Sequence, residues 1–339
     1  MINVSTHFIK IKVVGSGFGE SILINISDYF FLGIDCNKNL LYKADEKTVL
    51  EGFIENCQKK YWILSHYHLD HYNRFVQIFE NFKIEKVIVP QDFSSKDFIK
   101  LIKSDAKKNT GSEIEGKKAE GEYSKLSKLV SNLGYNGFSF IGKCEFLKCV
   151  ISDRKGVKKE LRVKVYGLTS KMEKEIKSSE LSKALNNSKY ATGGEIINYT
   201  SYITYITYGD FQGIFFADAP LERINSCLAN LKSTLNLDFI KIGHHGSKTS
   251  SNYELVKKLN SNKKLQTAIV TPFLKSKLPS KEVMKNYMDL KFNVQNTYTY
   301  HQGNVQKKEK KLCQIPNEHR IEIFSNSENS SVDCSYYKI

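Results

Sequence analysis

Three imidazoles and a carboxylate fall within six consecutive residues, His66-Tyr67-His68-Leu69-Asp70-His71. Protonated together, these side chains repel one another. Buried without partners, they carry a heavy desolvation cost, and a bound cation removes both problems. Residues two apart on an extended chain point the same way, so His66 and His68 can grip one ion while Asp70 and His71 turn toward a second. The bland alternative is a polar surface loop that happens to be rich in histidine. Two later stretches carry the same residue types. Asp218 ends the apolar run Ile214-Phe215-Phe216-Ala217, where it either bridges two cations or is an exposed turn residue ahead of Ala219-Pro220. His244 and His245 end the run from Leu237 to Gly243. Neighbours on an extended chain face opposite ways, so one can ligate a metal while the other lines the substrate side; otherwise the pair is structural. Asp35, at the end of the run from Tyr29, either holds a ligand histidine by a hydrogen bond or caps a turn.

The elements that must position these groups are read from periodicity. Phe8–Val14 alternates as a strand, Gly15 to Gly19 makes a tight turn, and Glu20–Asn25 returns as a second strand. A strand follows the glycines and no Gly-Lys-Ser/Thr does, which excludes a phosphate-binding P-loop. Lys60–Leu64 reads as a buried strand feeding the His-rich loop, and Phe75, Ile78, Phe79 and Phe82 have helical spacing after it. A helix is expected over 46–59, then strands at 86–90, near 137–141, 145–152 and 160–167, and one long strand over 196–208. Beyond it the pattern gives strands at 214–218, 237–243, 266–272 and 296–300, helices near 221–232 and 280–290, and short strands around 320–324 and 332–337. Residues 95–133 are charged, with helical apolar spacing at Phe98, Leu101, Ile102, Leu126 and Leu129; the polar stretch 104–124 within them, and 170–194 later, read as insertions within one domain spanning 1–339.

The bulk composition sets limits. A hydrophobic content of 40% over 339 residues supports a full core, and no apolar run is long enough to span a bilayer. The first residues lack a basic segment followed by an apolar one, so no secretory signal is expected. The 7 cysteines are scattered without a CxxC pair, which suits reduced thiols in a cytoplasm. A net charge of +15 favours a polyanionic partner such as nucleic acid. Only 5 of the 51 basic residues are arginine, so phosphate attraction is expected rather than base readout.

With HxHxDH at 66–71, Asp218 and a later strand-end histidine in hand, the chain resembles the metallo-β-lactamase superfamily. Gly17 to Ser21, Gly33-Ile34-Asp35, Ser65 to His71, Asn198-Tyr199-Thr200-Ser201, Ala217-Asp218-Ala219 and Gly243 to Ser251 are similar to its ComEC-type branch, named for the hydrolase domain of bacterial DNA-uptake proteins. The resemblance implies an α/β fold: an αββα sandwich of two mixed β-sheets flanked by helices, with metals at one sheet edge. It implies His66 and His68 on a first metal, Asp70 and His71 on a second, Asp218 as the bridge, His245 completing the second site and His244 facing substrate. Asp35 takes a supporting place, with Ser201 nearby. The metals implied are two Zn²⁺, with Mn²⁺ as the alternative. The activity implied is metal-dependent hydrolysis, foremost by a phosphodiesterase or nuclease acting on nucleic acid. Asp70 and Asp218 would orient the attacking water, Lys248 would help neutralise the phosphodiester, and His244 would protonate the leaving group. Two other readings are a hydrolase of a small ester, lactone or phosphocholine-type diester, and a non-catalytic metal-binding component of a bacterial defence system. Two departures stand out. No histidine lies between His71 and His244, where many members place a further ligand, so the first site is expected to be the weaker; and Glu20 replaces an aspartate in the glycine loop.

Overall fold

The computed structural model describes residues 2–4, 7–14, 19–36, 43–44, 47–90, 99–100, 102–104, 106–107, 112–132, 143–168, 197–231, 235–260, 266–273, 276–297 and 332–338. Among them, two mixed β-sheets carry the fold. The larger, 8-stranded sheet runs in the order Ile2–Val4 (β1), Lys143–Asp153 (β9), Lys158–Tyr166 (β10), Ile203–Tyr208 (β11), Phe211–Phe215 (β12), Phe239–Lys241 (β13), Thr267–Val270 (β14) and Asn293–Asn296 (β15). The 6-stranded sheet runs Val332–Lys338 (β16), Phe8–Val14 (β2), Ser21–Ile26 (β3), Phe30–Ile34 (β4), Lys59–Ile63 (β7) and Lys86–Ile88 (β8). Lys43–Ala44 (β5) and Lys47–Thr48 (β6) pair as a separate ribbon.

Alternation along the strands sorts side chains into layers. From the smaller sheet, Ile22, Ile24, Ile26, Phe30, Leu32, Ile34 and Ile63 face one apolar cluster, which Leu161, Val163, Val165, Ile206, Phe215, Phe239 and Ile269 of the larger sheet enter from the other side. The two sheets therefore pack face to face. Their outer faces are covered by helices. Leu23, Phe31, Trp62 and Leu64 meet residues of Val49–Ile54 (α1), Leu69–Tyr72 (α2), Phe75–Phe82 (α3) and Glu113–Asn132 (α4). On the far side, Ile214, Ile240, Ala268 and Val270 meet Leu221–Asn230 (α5), Tyr253–Leu259 (α6) and Lys281–Asp289 (α7). Gly33 shows how tight the helix-covered face of the smaller sheet is: a β-carbon there would stand 2.5 Å from the Trp62 ring.

Within this frame β4, β7 and β8 are parallel to one another, and so are β12 to β15. Ligands in α/β sheets gather beyond the carboxyl ends of such strands. Here both sheets present those ends to the candidate site.

Several expectations need correction. Residues 113–124 are not an inserted loop but the first part of α4, because Ala119, Tyr123 and Leu126 recur at helical spacing and are buried while the lysines and glutamates take the outer face. The strand expected from 196 begins at Ile203. Residues 197–199 form a helical turn closed by Thr200, whose N–H and hydroxyl both donate to the Ile197 carbonyl, at 3.0 and 2.7 Å. The helix expected over 46–59 is confined to Val49–Ile54, with β6 ahead of it and β7 starting at Lys59. A strand runs over Asn293–Asn296; of the stretch 296–300 expected as a strand, residues 298–300 lie outside the described residues. The stretches 170–194, 137–141 and 320–324 lie outside the described residues.

Candidate metal centre

The cluster is assembled from five chain segments, each leaving a strand end. Asp35 follows β4, with its N–H donating to the Ile63 carbonyl at 2.9 Å. Ser65 to His71 follow β7. Ala217-Asp218 follow β12, His244-His245 follow β13, and Thr271 follows β14. Three of these corners, Asp35, Ala217 and the two histidines, have left-handed backbones: φ is 58° at Asp35, 49° at Ala217, 46° at His244 and 53° at His245. Non-glycine residues take this conformation only where the surroundings hold them there. The histidine pair is therefore not extended, as the sequence suggested. It is a tight turn in which the Gly246 N–H donates to the Gly243 carbonyl at 2.9 Å.

Among the described residues, three groups have their ligand atoms within 4.8 Å of one another: Asp35/His66/His71, His66/His68/Asp218 and Asp70/His71/His245. In the first, Asp35 is already taken up by its hydrogen bond to His71, which leaves the other two as the candidate donor groups. His66 Nε2 lies 3.0 Å from His68 Nδ1 and 3.7 Å from Asp218 Oδ2. His71 Nε2 lies 3.7 Å from Asp70 Oδ2 and 3.8 Å from the same Asp218 oxygen. Two donors sharing one Zn²⁺ at tetrahedral angles stand about 3.3–3.6 Å apart; the carboxylate–imidazole separations lie just above that range, and His66 and His68 lie below it, at hydrogen-bond distance. Asp218 sits between the groups, where a bridge must be. His71 Nε2 and Asp218 Oδ1 are buried with no hydrogen-bond partner among the described residues, an arrangement a cation resolves.

Outer hydrogen bonds fix which nitrogen of the His66, His71 and His245 rings faces inward. Asp35, fully buried, accepts from the Ser65 N–H at 2.6 Å, the Ser65 hydroxyl at 2.6 Å and His71 Nδ1 at 2.7 Å. His71 is thereby left with Nε2 toward the centre. The Ser65 hydroxyl also lies 2.8 Å from His66 Nδ1. His245 Nδ1 donates to the Thr271 carbonyl at 2.8 Å, leaving its Nε2 to ligate. Of the adjacent pair, His245 is thus the buried one that joins a donor group. His244 is 26% exposed, with Nε2 at 3.8 Å from Asp218 and Nδ1 at 3.1 Å from the Thr249 hydroxyl. With Asp70, 17% exposed, and half-buried His68, it forms the rim through which solvent reaches the centre.

The charges are set by mutual proximity. Burial alone would raise the Asp218 pKa, but His244, His71, His66 and His245 hold it well below the ordinary carboxylate range. Burial and the neighbouring His71 push His66 well below the usual histidine value, so it offers a free lone pair. His71 goes the other way: burial opposes its charge, and Asp35, Asp70 and Asp218 outweigh it, holding the ring protonated until something displaces that proton. His244 is lowered, chiefly by burial, which favours its neutral form.

Two expected residues fare differently. Ser201 is buried one residue before Tyr202, whose N–H donates to the Ser65 carbonyl at 2.9 Å, so its segment braces the His-rich loop. Lys248 does not join the cluster; its exposed ammonium is ion-paired with Glu282. Sequence reasoning missed Ser65, Thr271 and Lys241. Lys241 is fully buried against Glu20 at 2.6 Å. Its signal was a lysine inside the apolar run Phe239-Ile240-Lys241-Ile242, on the strand face that meets the other sheet. No protein-family model matches this chain, and no curated protein matches its sequence.

Proposed function

We propose that this chain is a metal-dependent hydrolase with a metallo-β-lactamase-type αββα fold, akin to the ComEC-type branch, and that it cleaves phosphodiester bonds, foremost in nucleic acid. The observation that carries this reading is Asp218. Delivered by one sheet, its carboxylate stands 3.7 and 3.8 Å from two imidazoles delivered by the other. A donor set of neutral imidazoles and carboxylates suits Zn²⁺, with Mn²⁺ as the alternative. The group His66/His68/Asp218 supplies three protein donors, the number that catalytic zinc sites use while keeping a position open. The histidine absent between His71 and His244 therefore does not by itself argue against a first ion.

Two bound cations would supply a water that ionises near neutral pH and positive charge for the phosphoryl oxygens. The protein's own part is to hold donors and substrate. Asp218 and Asp70 accept the protons of the water and fix its direction. Asp35, Ser65 and Thr271 lock the ligand rings so that no reorganisation is needed during reaction. His244, on the exposed rim, faces the substrate side as a hydrogen-bonding group and the candidate proton donor to the leaving group. The +15 charge would draw a polyanion to the surface.

The test is metal analysis of the purified protein alongside hydrolysis of single- and double-stranded DNA, RNA and a chromogenic phosphodiester at graded salt. Wild type should bind up to two cations per chain and cleave at least one of these substrates. Asp218→Ala and Asp70→Ala should each lower the rate by about 100-fold or more. Nucleic-acid binding should weaken steeply with salt, whereas binding of a small ester would not. Variants as active as wild type, or a chain that binds no divalent cation, would sink the proposal.

A further inference from the structure

Glu20 and Lys241 form an ion pair at 2.6 Å in which both side chains are essentially inaccessible to solvent. A buried pair of this kind adds little net stability, since its desolvation cost rivals its attraction. Its surroundings indicate a different use. The carboxylate oxygen that meets Lys241 also accepts the Thr271 hydroxyl proton, and Lys241 donates its other bond to the Ile242 carbonyl at 3.0 Å. Thr271 in turn holds His245: its carbonyl accepts from Nδ1 at 2.8 Å, and its hydroxyl oxygen lies 3.2 Å from the same nitrogen. The residue before Glu20 touches the other flank of the same donor group. Gly19, at φ 84°, lies so close to Asp70 that a β-carbon would stand 2.2 Å from the Asp70 carbonyl oxygen. A single corner, Gly19-Glu20, thus supports both Asp70 and, through Thr271, His245.

We propose that Glu20 is a positioning residue of the Asp70/His71/His245 cation site: its carboxylate, neutralised by Lys241, anchors the Thr271 hydroxyl so that Thr271 holds the His245 ring with Nε2 toward the cation. Lys241 keeps that carboxylate charged in a dry interior, where it would otherwise take up a proton. The left-handed backbone at His245, φ 53°, is itself a conformation that persists only where surrounding contacts hold it. The inference rests on the proposed function in requiring that the chain bind divalent cations, but not on any particular substrate.

The experiment measures Zn²⁺ and Co²⁺ binding to the full chain by chelator competition, together with the Co²⁺ absorption spectrum. Thr271→Val removes the hydroxyl while leaving the backbone carbonyl and the ion pair in place. The double variant Glu20→Gln with Lys241→Met removes the anchor without stranding a buried ammonium. Each should weaken one of the two binding steps by about 10- to 100-fold, the range found when partners behind a metal ligand are lost. The other step, coupled through the shared Asp218, should change by less than the weakened one, and the Co²⁺ spectrum of the weakened site should change. Folded variants with both steps and the spectrum unchanged would show that the pair serves packing alone, and the proposal would be overturned. A wild-type chain that binds no cation would instead remove the functional reading beneath it, a result visible before any variant is made.

Discussion

Asp35→Asn separates the charge of the buried carboxylate from its shape. The left-handed backbone at Asp35, φ 58°, is one asparagine also tolerates, so no strain is added. What changes is that every neighbour is a donor: the Ser65 N–H on Oδ1, and the Ser65 hydroxyl and His71 Nδ1 on Oδ2, all at 2.6–2.7 Å. An amide must point its NH₂ at one of these sides. Toward Ser65 it opposes a backbone N–H that has no other acceptor. Toward His71 it forces the ring to the other tautomer, placing a proton on the very nitrogen that must ligate. Hydrogen bonds to a charged group are each worth about 1.5–3 kcal/mol, and removing one partner of a buried pair costs about 3–5 kcal/mol. The metal-free variant should therefore unfold with about 3–5 kcal/mol less stability near pH 6, where Asp35 is charged and His71 protonated.

The pH dependence follows from His71. Its folded pKa lies well above 6.5 because Asp35, Asp70 and Asp218 overcome the penalty of burial. A raised imidazole contributes stability fully below its unfolded value and loses it as pH rises through the folded value. The gap between wild type and Asp35→Asn should accordingly be widest near pH 6 and narrow as His71 deprotonates. For cation binding, loss of the group behind His71 should weaken affinity by about 10- to 100-fold. Denaturant unfolding with a chelator at pH 6 and above the raised His71 value, followed by Zn²⁺ competition, measures both effects. A variant matching wild type in stability at both pH values and in affinity within threefold would refute the role given to Asp35.

Cation binding should release at least one proton per chain in the neutral range, because the proton on His71 must leave as Nε2 becomes a ligand. Calorimetry in buffers of different ionisation enthalpy reads this directly, and binding that is independent of buffer would contradict it. Gly19→Ala should lower stability by about 1–2 kcal/mol from its left-handed backbone alone, and the added carbon, 2.2 Å from the Asp70 carbonyl, should displace Asp70 and weaken one cation step. An alanine variant with wild-type melting and cation binding would show that this corner is not under constraint.

What could be seen in the sequence divides along physical lines. The strands around the site were legible because each buries alternate residues on two apolar faces, as Ile22, Ile24 and Ile26 do against Leu23. The ligand types were legible because charged and imidazole groups at the end of an apolar run have few other uses. Directions were harder. The turn at His244-His245 depends on two left-handed residues that no local pattern announces, so the extended-chain argument named the pair and misjudged its conformation. Sequence reasoning named Lys248 and passed over Lys241. Yet Lys241, 0% exposed, lies on the strand face turned to the other sheet, while Lys248, 63% exposed, lies past the strand end and meets Glu282. The first part of helix α4 was obscured because its lysines and glutamates outnumber the residues, Ala119 and Tyr123, that bury it, whereas the helical spacing of Leu126 and Leu129 could be seen.

The centre and the surface around it make opposite electrostatic demands. Overall the chain carries +15, which attracts polyanions from a distance. At the site, however, Asp35, Asp70 and Asp218 stand together, and Asp218 keeps its negative charge because the surrounding imidazoles lower its pKa. A phosphodiester drawn in by the lysines would meet repulsion at the last few ångströms, where the dry surroundings of Asp218 screen little. Cations held by the two donor groups reverse that local sign. On the proposed reading, then, distant attraction needs only the lysines, whereas seating of a phosphate at the centre needs the metals as well. Salt should weaken the first with or without cations, while a chelator should abolish only the second.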